Sequence, residues 1–154
     1  MIRHLFISPD HNFFGHHGEP AGETPMLEVP GMDCVAGRGI RGDRFFDHKP
    51  DYKGQITFFA WENLLKMWEE LQVSTAQRVA SATRRNVITV GRDLNALIGE
   101  TFVIQGVEFF GTEECRPCDW MNEVIHPLAK SWMKGRGGLR ARILSDGILR
   151  QTIT

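Results

Sequence analysis

Apolar residues fall mostly in short runs separated by glycine, proline and charge. Ile2 to Ser8 reads as a first strand. Met26 to Val29 and Met32 to Val35 look extended and are broken by Pro30-Gly31, a turn dipeptide. Gln55 to Phe59 is continuously apolar and aromatic, the pattern of a buried strand. Asn86 to Val90 reads the same way. Thr101 to Gln105 and Val107 to Thr112 flank Gly106, which predicts a hairpin. Leu139 to Ser145 alternates, with Leu139, Ala141 and Ile143 set against Arg140 and Arg142. Asp146-Gly147 then reads as a tight hairpin turn into Ile148 to Ile153.

One segment carries a clear helical period. Trp61, Leu64, Leu65, Trp68 and Leu71 form a stripe, while Glu62, Lys66, Glu69 and Glu70 fall largely on the other face. Both tryptophans are therefore expected in the core. Asp93 to Ile98 reads as one helical turn ending at Gly99, and Asp119 to His126 as a helix that Pro127 to Met133 continues. His11 to Gly22 and Gly37 to Gly54 are rich in glycine and polar residues and read as loops. Many short strands with a few helices predict a mainly β protein, a small closed or partly closed β-barrel with a few helices. No repeat or linker divides the chain, so residues 1–154 are expected to form a single domain.

Composition narrows the function classes. Hydrophobic residues make up 42% and charged residues 24% of the 154, the balance of an ordinary globular protein able to bury a core. The net charge of -1 argues against binding nucleic acid through phosphate neutralisation. Three cysteines cannot all pair with one another, and their spacing is not that of a disulfide framework. Met1 to Asp10 lacks a signal-peptide apolar core, and no apolar run is long enough to span a membrane. The expectation is a soluble, cytoplasmic protein without membrane or nucleic-acid partners.

The densest chemistry lies in Glu114-Cys115-Arg116-Pro117-Cys118-Asp119. A strand should end before it and a helix begin after it, so Cys118 would sit at the positive end of a helix, with Arg116 close by. Four readings compete: two buried structural cysteines, a thioredoxin-like dithiol, half of a structural zinc site, and a single reactive or metal-ligating thiolate. Against the dithiol, the βαβ crossovers that should follow it are missing. Against zinc, there is no second C-x-x-C, and neither His126 nor Cys34 is placed by spacing. Cys34, in Met32-Asp33-Cys34-Val35-Ala36, reads as a core residue.

Arginine outnumbers lysine by 13 to 5, the bias expected where planar oxyanions are gripped in bidentate fashion. Arg38, Arg41 and Arg44 lie in the glycine-rich run Gly37-Arg38-Gly39-Ile40-Arg41-Gly42-Asp43-Arg44. That run matches G-x-G-x-x-G only formally, because no helix follows it. Arg84-Arg85-Asn86 opens a strand. Lys134-Gly135-Arg136-Gly137-Gly138-Leu139-Arg140 is a second glycine-arginine loop. The inference is an anionic ligand or small-molecule substrate near a thiolate. His11, His16 and His17 could ligate a metal, although a polar surface loop fits them better. HExxH, P-loop and GxSxG motifs are missing, which excludes zincins, NTPases and the common serine hydrolases.

Taken in order, Gly39-Ile40-Arg41-Gly42-Asp43-Arg44, Arg84-Arg85-Asn86-Val87, Asp93-Leu94-Asn95-Ala96-Leu97-Ile98-Gly99, Cys115-Arg116-Pro117-Cys118 and Gly138-Leu139-Arg140-Ala141 resemble the MOSC domain, the C-terminal domain of molybdenum cofactor sulfurase. The resemblance runs from about Ile2 to Gly147. It implies a β-rich barrel and a site around one cysteine that ligates molybdenum or carries sulfur. Cys118 matches that cysteine, and Cys115 falls where some relatives also have one. Arg84 and Asn86 match the Arg-x-Asn that approaches the cofactor, and Gly42, Asp43 and Arg44 match a glycine-aspartate signature. The molybdenum cofactor (molybdopterin) is thus the implied cofactor, with Arg38, Arg41, Arg44, Arg84, Arg85, Arg116 and Arg140 as its anion-binding candidates. The implied activity is reduction of N-hydroxylated compounds, with electrons from an external reductase. An alternative is a persulfide carrier on Cys118, loaded by a sulfur donor such as a cysteine desulfurase. A further alternative is a structural-zinc or inert-cysteine interaction domain. Pyridoxal phosphate is linked to the family only through the sulfurase domain of the fused enzymes.

Overall fold

A computed structural model describes residues 1–9 and 26–152. The histidine-rich stretch from His11 to Gly22, with His11, His16 and His17, and Ile153 at the end of the expected last strand, lie outside the described residues.

The strands are β1 (Ile2–Ile7), β2 (Leu27–Glu28), β3 (Gly31–Val35), β4 (Gly39–Ile40), β5 (Ile56–Ala60), β6 (Val87–Thr89), β7 (Thr101–Ile104), β8 (Val107–Glu114), β9 (Leu139–Ile143) and β10 (Gly147–Arg150). The helices are α1 (Trp61–Glu70), α2 (Trp120–Val124) and α3 (Ala129–Trp132), with 3₁₀ turns at Thr75–Gln77, Ala80–Thr83 and Asn95–Leu97. Seven strands form one sheet in the order β2-β1-β6-β5-β9-β8-β7, and three form another in the order β10-β3-β4. β5 and β6 run parallel, joined through α1 and two 3₁₀ turns, and the other pairs are antiparallel.

The large sheet is the middle layer. Its period-two alternation sends Phe58 to one face and Phe59 to the other. Phe58 joins Ile2, Leu5, Val87, Leu139 and Ala141 in a core shared with Met32, Cys34, Ile40 and Leu149 of the small sheet. Phe59 and Ile88 pack on the opposite side against Leu64, Met67 and Trp68 of α1, Met121 of α2 and Trp132 of α3.

The mainly β composition agrees with the sequence, but the closed barrel does not. Among the described residues the two sheets stay separate and face each other across the core. The Asp146-Gly147 turn also differs from expectation. It opens no hairpin with β9, because β10 leaves the large sheet and pairs with β3, aligning Leu149 with Met32. The Asp146 carboxylate accepts the Ala36 N–H at 2.8 Å and fastens the turn to the small sheet. The two ends of the described chain meet: Ile2 N–H donates to Thr152 Oγ1 at 2.7 Å, and Thr152 N–H donates to the Ile2 carbonyl at 2.9 Å.

Helix α1 sits where the stripe predicted, with its face turned slightly. Met67 is fully buried with Leu64 and Trp68, while Leu65 is 45% exposed. Trp68 is core, whereas Trp61 is half-buried beneath the Arg3 guanidinium, 4.1 Å from its ring centre. The expected continuous helix from Asp119 to Met133 is instead α2 and α3, separated at Pro127. Among the described residues no helix is long and apolar enough to cross a membrane.

Candidate functional site

Three strand ends build a cavity of about 500 Å³ on the helical side of the large sheet. Arg84 and Arg85 stand just before β6, Cys115 just after β8, and Arg140 near the start of β9. Thr57 and Arg140 are register partners on β5 and β9, and both line the cavity. The loop after β4 adds Arg44, Phe45 and Tyr52, the turn leading into α2 adds Arg116 and Cys118, and α2 itself adds Trp120.

Cys115 and Cys118 are free thiols, both half-buried on the same wall. This excludes a disulfide between them in this structure. Cys115 is pinned by its backbone: its N–H donates to the Gly138 carbonyl at 2.8 Å, and its carbonyl accepts Arg85 Nη2 at 2.9 Å. The Cys118 carbonyl accepts the Met121 N–H and starts the first turn of α2. With five residues, α2 has little macrodipole, so the positive field at the thiols comes from guanidinium groups. Cys115 lies within electrostatic range of Arg44, and Cys118 within range of Arg84.

Those two arginines are crowded and half-buried. Burial pushes Arg84 down to about 10, and the neighbouring Arg44 cation adds to the fall, while Asp43 and Cys118 oppose it. Burial likewise lowers Arg44, partly offset by Asp43. Arg84 has left-handed backbone (φ 55°), which turns its side chain back toward Ser8 Oγ at 3.2 Å and over the Trp120 ring at 5.4 Å. Arg44 contacts Asp43 at 3.3 Å and covers the Phe45 ring at 4.7 Å. Among the described residues, five lining side chains are arginines and one, Glu113, is acidic, so the lining they form is cationic.

The other sequence candidates are placed differently. Arg85 is buried and donates to the carbonyls of Gly137, Thr83 and Cys115. It borders the cavity, but its hydrogen bonds hold the surrounding turns. Asp43 and Asn86 lie beneath the cavity in the polar core. Asp43 accepts the Ser8 N–H at 2.9 Å, and Asn86 accepts from the Thr57 N–H at 3.0 Å and donates to the Phe6 carbonyl at 3.1 Å. Gly42 has φ 85° and turns the chain between Arg41 and Asp43. Arg38 and Arg41 are not brought to the cavity. Arg38 pairs with Asp47 at 2.6 Å and Arg41 with Asp33 at 3.0 Å, both well exposed, and both arginines lie over the Phe46 ring.

Arg140 is held on two sides, donating to Glu113 Oε1 at 2.8 Å and to the Tyr52 hydroxyl oxygen at 2.6 Å. Gly54 makes room for it, since a Cβ there would come within 2.7 Å of the guanidinium. Sequence reasoning missed Tyr52, Trp120 and Glu113. Tyr52 is the chain's single tyrosine and shares a loop with Arg44, a signal that composition offered. Phe45 stacks on Tyr52 at 5.3 Å, so these two aromatics form one wall of the cavity.

Cys34 behaves as the sequence predicted. It is fully buried, and burial with the Asp33 charge pushes its thiol up to about 12. The structural-zinc reading finds no further ligands: among the described residues no three His, Cys, Asp or Glu side chains converge on a metal position.

Comparison with known proteins places the fold. The chain is similar to the YuaD protein from Bacillus subtilis, with a TM-score of 0.73 at 16% identity over 97% of this chain and 90% of that one. It is similar to YiiM from Escherichia coli, with a TM-score of 0.64 at 16% identity over 99% and 67% of the two chains. YiiM from Geobacillus stearothermophilus gives a TM-score of 0.68 at 14% identity over 98% and 71%. No curated protein sequence matches the chain. The sequence profile of the MOSC domain matches residues 16–152, nearly the whole of the chain and the whole of its cysteine–arginine cavity, and the protein belongs to the MOSC domain family.

Proposed function

We propose that the cavity binds the molybdenum cofactor and that the protein uses it to reduce N-hydroxylated compounds. The observation that carries this reading is the meeting of Cys118 and five arginines with one carboxylate in a single cavity of about 500 Å³. Molybdenum in this cofactor takes soft thiolate ligands, and the pterin carries a phosphate. The donor set supplies both kinds of partner, so the residues present fit the group.

Cys118 would be the protein's ligand to the metal. Arg44 and Arg84 would hold the anionic part, since the Arg44 cation lowers the affinity of Arg84 for its proton and Asp43 offsets that only in part. Bound there, the cofactor would supply two-electron removal of oxygen, with electrons delivered by an external reductase. Phe45, Tyr52 and Trp120 give the cavity flat aromatic walls that orient a planar group and exclude water. Arg140 donates to the Tyr52 oxygen, so the phenol proton is left to point elsewhere, within a cavity where a departing hydroxyl needs one.

The test is metal and pterin content after expression in a host that makes the cofactor, beside a Cys118→Ala variant. Stoichiometric molybdenum and a fluorescent oxidised pterin, both lost in the variant, are expected. A wild-type protein with neither would overturn the reading. A sulfur adduct on Cys118 in the intact mass, without turnover, would then point to a persulfide carrier.

A further inference from the structure

A second cavity, of about 390 Å³, opens beside the C-terminal end of β5, lined by Arg92, Arg136, Asn63, Asn95, Glu62 and Asp93 among others. Its arginines are half-buried, and among the described residues neither forms an ion pair. The Arg92 guanidinium makes no hydrogen bond or ion pair with the described residues. Arg136 uses its Nε on the Trp132 carbonyl at 2.8 Å and lies 3.7 Å over the Trp132 ring, which leaves both Nη groups without a protein acceptor among the described residues.

Each carboxylate of this cavity gives one oxygen to a backbone N–H. Glu62 accepts the Gly91 N–H at 2.7 Å, and Asp93 accepts the Ala96 N–H at 3.4 Å. The Asn95 amide donates to the Gly135 carbonyl at 3.0 Å and fixes the loop that carries Arg136. A half-buried guanidinium with donors left over can still take an acceptor, and its forked donors match the oxygens of a phosphate.

We infer that this cavity is a second oxyanion site, separate from the cysteine cavity, that takes a phosphate group between Arg92 and Arg136. The inference does not rest on the cofactor reading, because none of these residues lines the cysteine cavity.

The experiment is a low-salt titration of the ¹⁵N-labelled protein with inorganic phosphate, followed through backbone amide shifts. Saturable shifts are expected at 91–95 and 135–138. Arg92→Gln should raise the apparent Kd at least about ten-fold without disturbing the fold, since that side chain holds nothing in place. Arg84→Gln should leave those shifts unchanged. The inference is overturned if these amides show no saturable shift. It is equally overturned if Arg92→Gln titrates like the wild type, or if Arg84→Gln abolishes the shifts and so assigns the anion to the cysteine cavity.

Discussion

The Asp43 carboxylate stands 3.3 Å from the Arg44 guanidinium, and neither side chain is more than 9% exposed. The same Oδ1 accepts the Ser8 N–H, while Arg84 lies close enough to feel both charges. One buried carboxylate thus serves two half-buried cations. The surplus positive charge is structural, and it is what makes the cavity attractive to an anion.

Removing that carboxylate should therefore be severe. Asp43→Asn keeps the shape but removes the carboxylate charge that faces both Arg44 and Arg84. A loss of about 3–5 kcal/mol in urea unfolding is expected, as for other broken buried pairs. Added phosphate should restore part of it by binding the folded form.

Arg85 should prove architectural. Its side chain satisfies the carbonyls of Gly137, Thr83 and Cys115, and Arg85→Met leaves those acceptors orphaned. A loss of about 3 kcal/mol is expected. Faster alkylation of Cys115, read by mass spectrometry, should accompany it as the turn loosens.

Gly137 is a packing position. A Cβ there would overlap the Cys115 carbonyl oxygen and press on Pro117. Gly137→Ala should cost about 1–3 kcal/mol. It should also lower cofactor or anion uptake, measured on the folded fraction, because the turn that carries both thiols must shift.

Cys34 supplies a pH dependence. Its folded value of about 12 lies above the ordinary 9.0, so the unfolded chain loses this proton first as pH rises. Its contribution is complete below pH 9 and declines above it, approaching about 1.4 kcal/mol per pH unit. Urea midpoints at pH 8, 9 and 10 should show the decline, and Cys34→Ala should flatten it. In the native protein, thiol reagents should modify Cys115 and Cys118 and spare Cys34.

Local pattern made much of this legible. The α1 stripe, the hairpin around Gly106 and the thiol pair between a strand and a helix were visible because each depends on neighbours in sequence. The partner of β10 was not visible. Asp146-Gly147 carries a hairpin signature, and only the packing of Leu149 beside Met32 shows that the strand changes sheets. Arg38 and Arg41 looked equivalent to Arg44 in a single loop. What separates them is tertiary: Asp47 and Asp33 hold the first two at the surface, while Phe45 and Asp43 draw the third inward. Tyr52 joins the cavity from a loop and Trp120 from the first position of α2, and no periodicity encodes either placement.

The clasp between Ile2 and Thr152 spans 150 positions of sequence. Strand β1, inside the large sheet, completes its hydrogen bonds only when the last described residue arrives. The cysteine cavity depends on β1 through Ser8 and Asp43. Folding must therefore close its longest loop before the site is rigid. Such non-local topology places folding on the millisecond-to-second scale, with assembly of the site among its latest events. Until the segment that carries Thr152 has been made, the half-buried thiols of that site would be more exposed than they are in the folded protein.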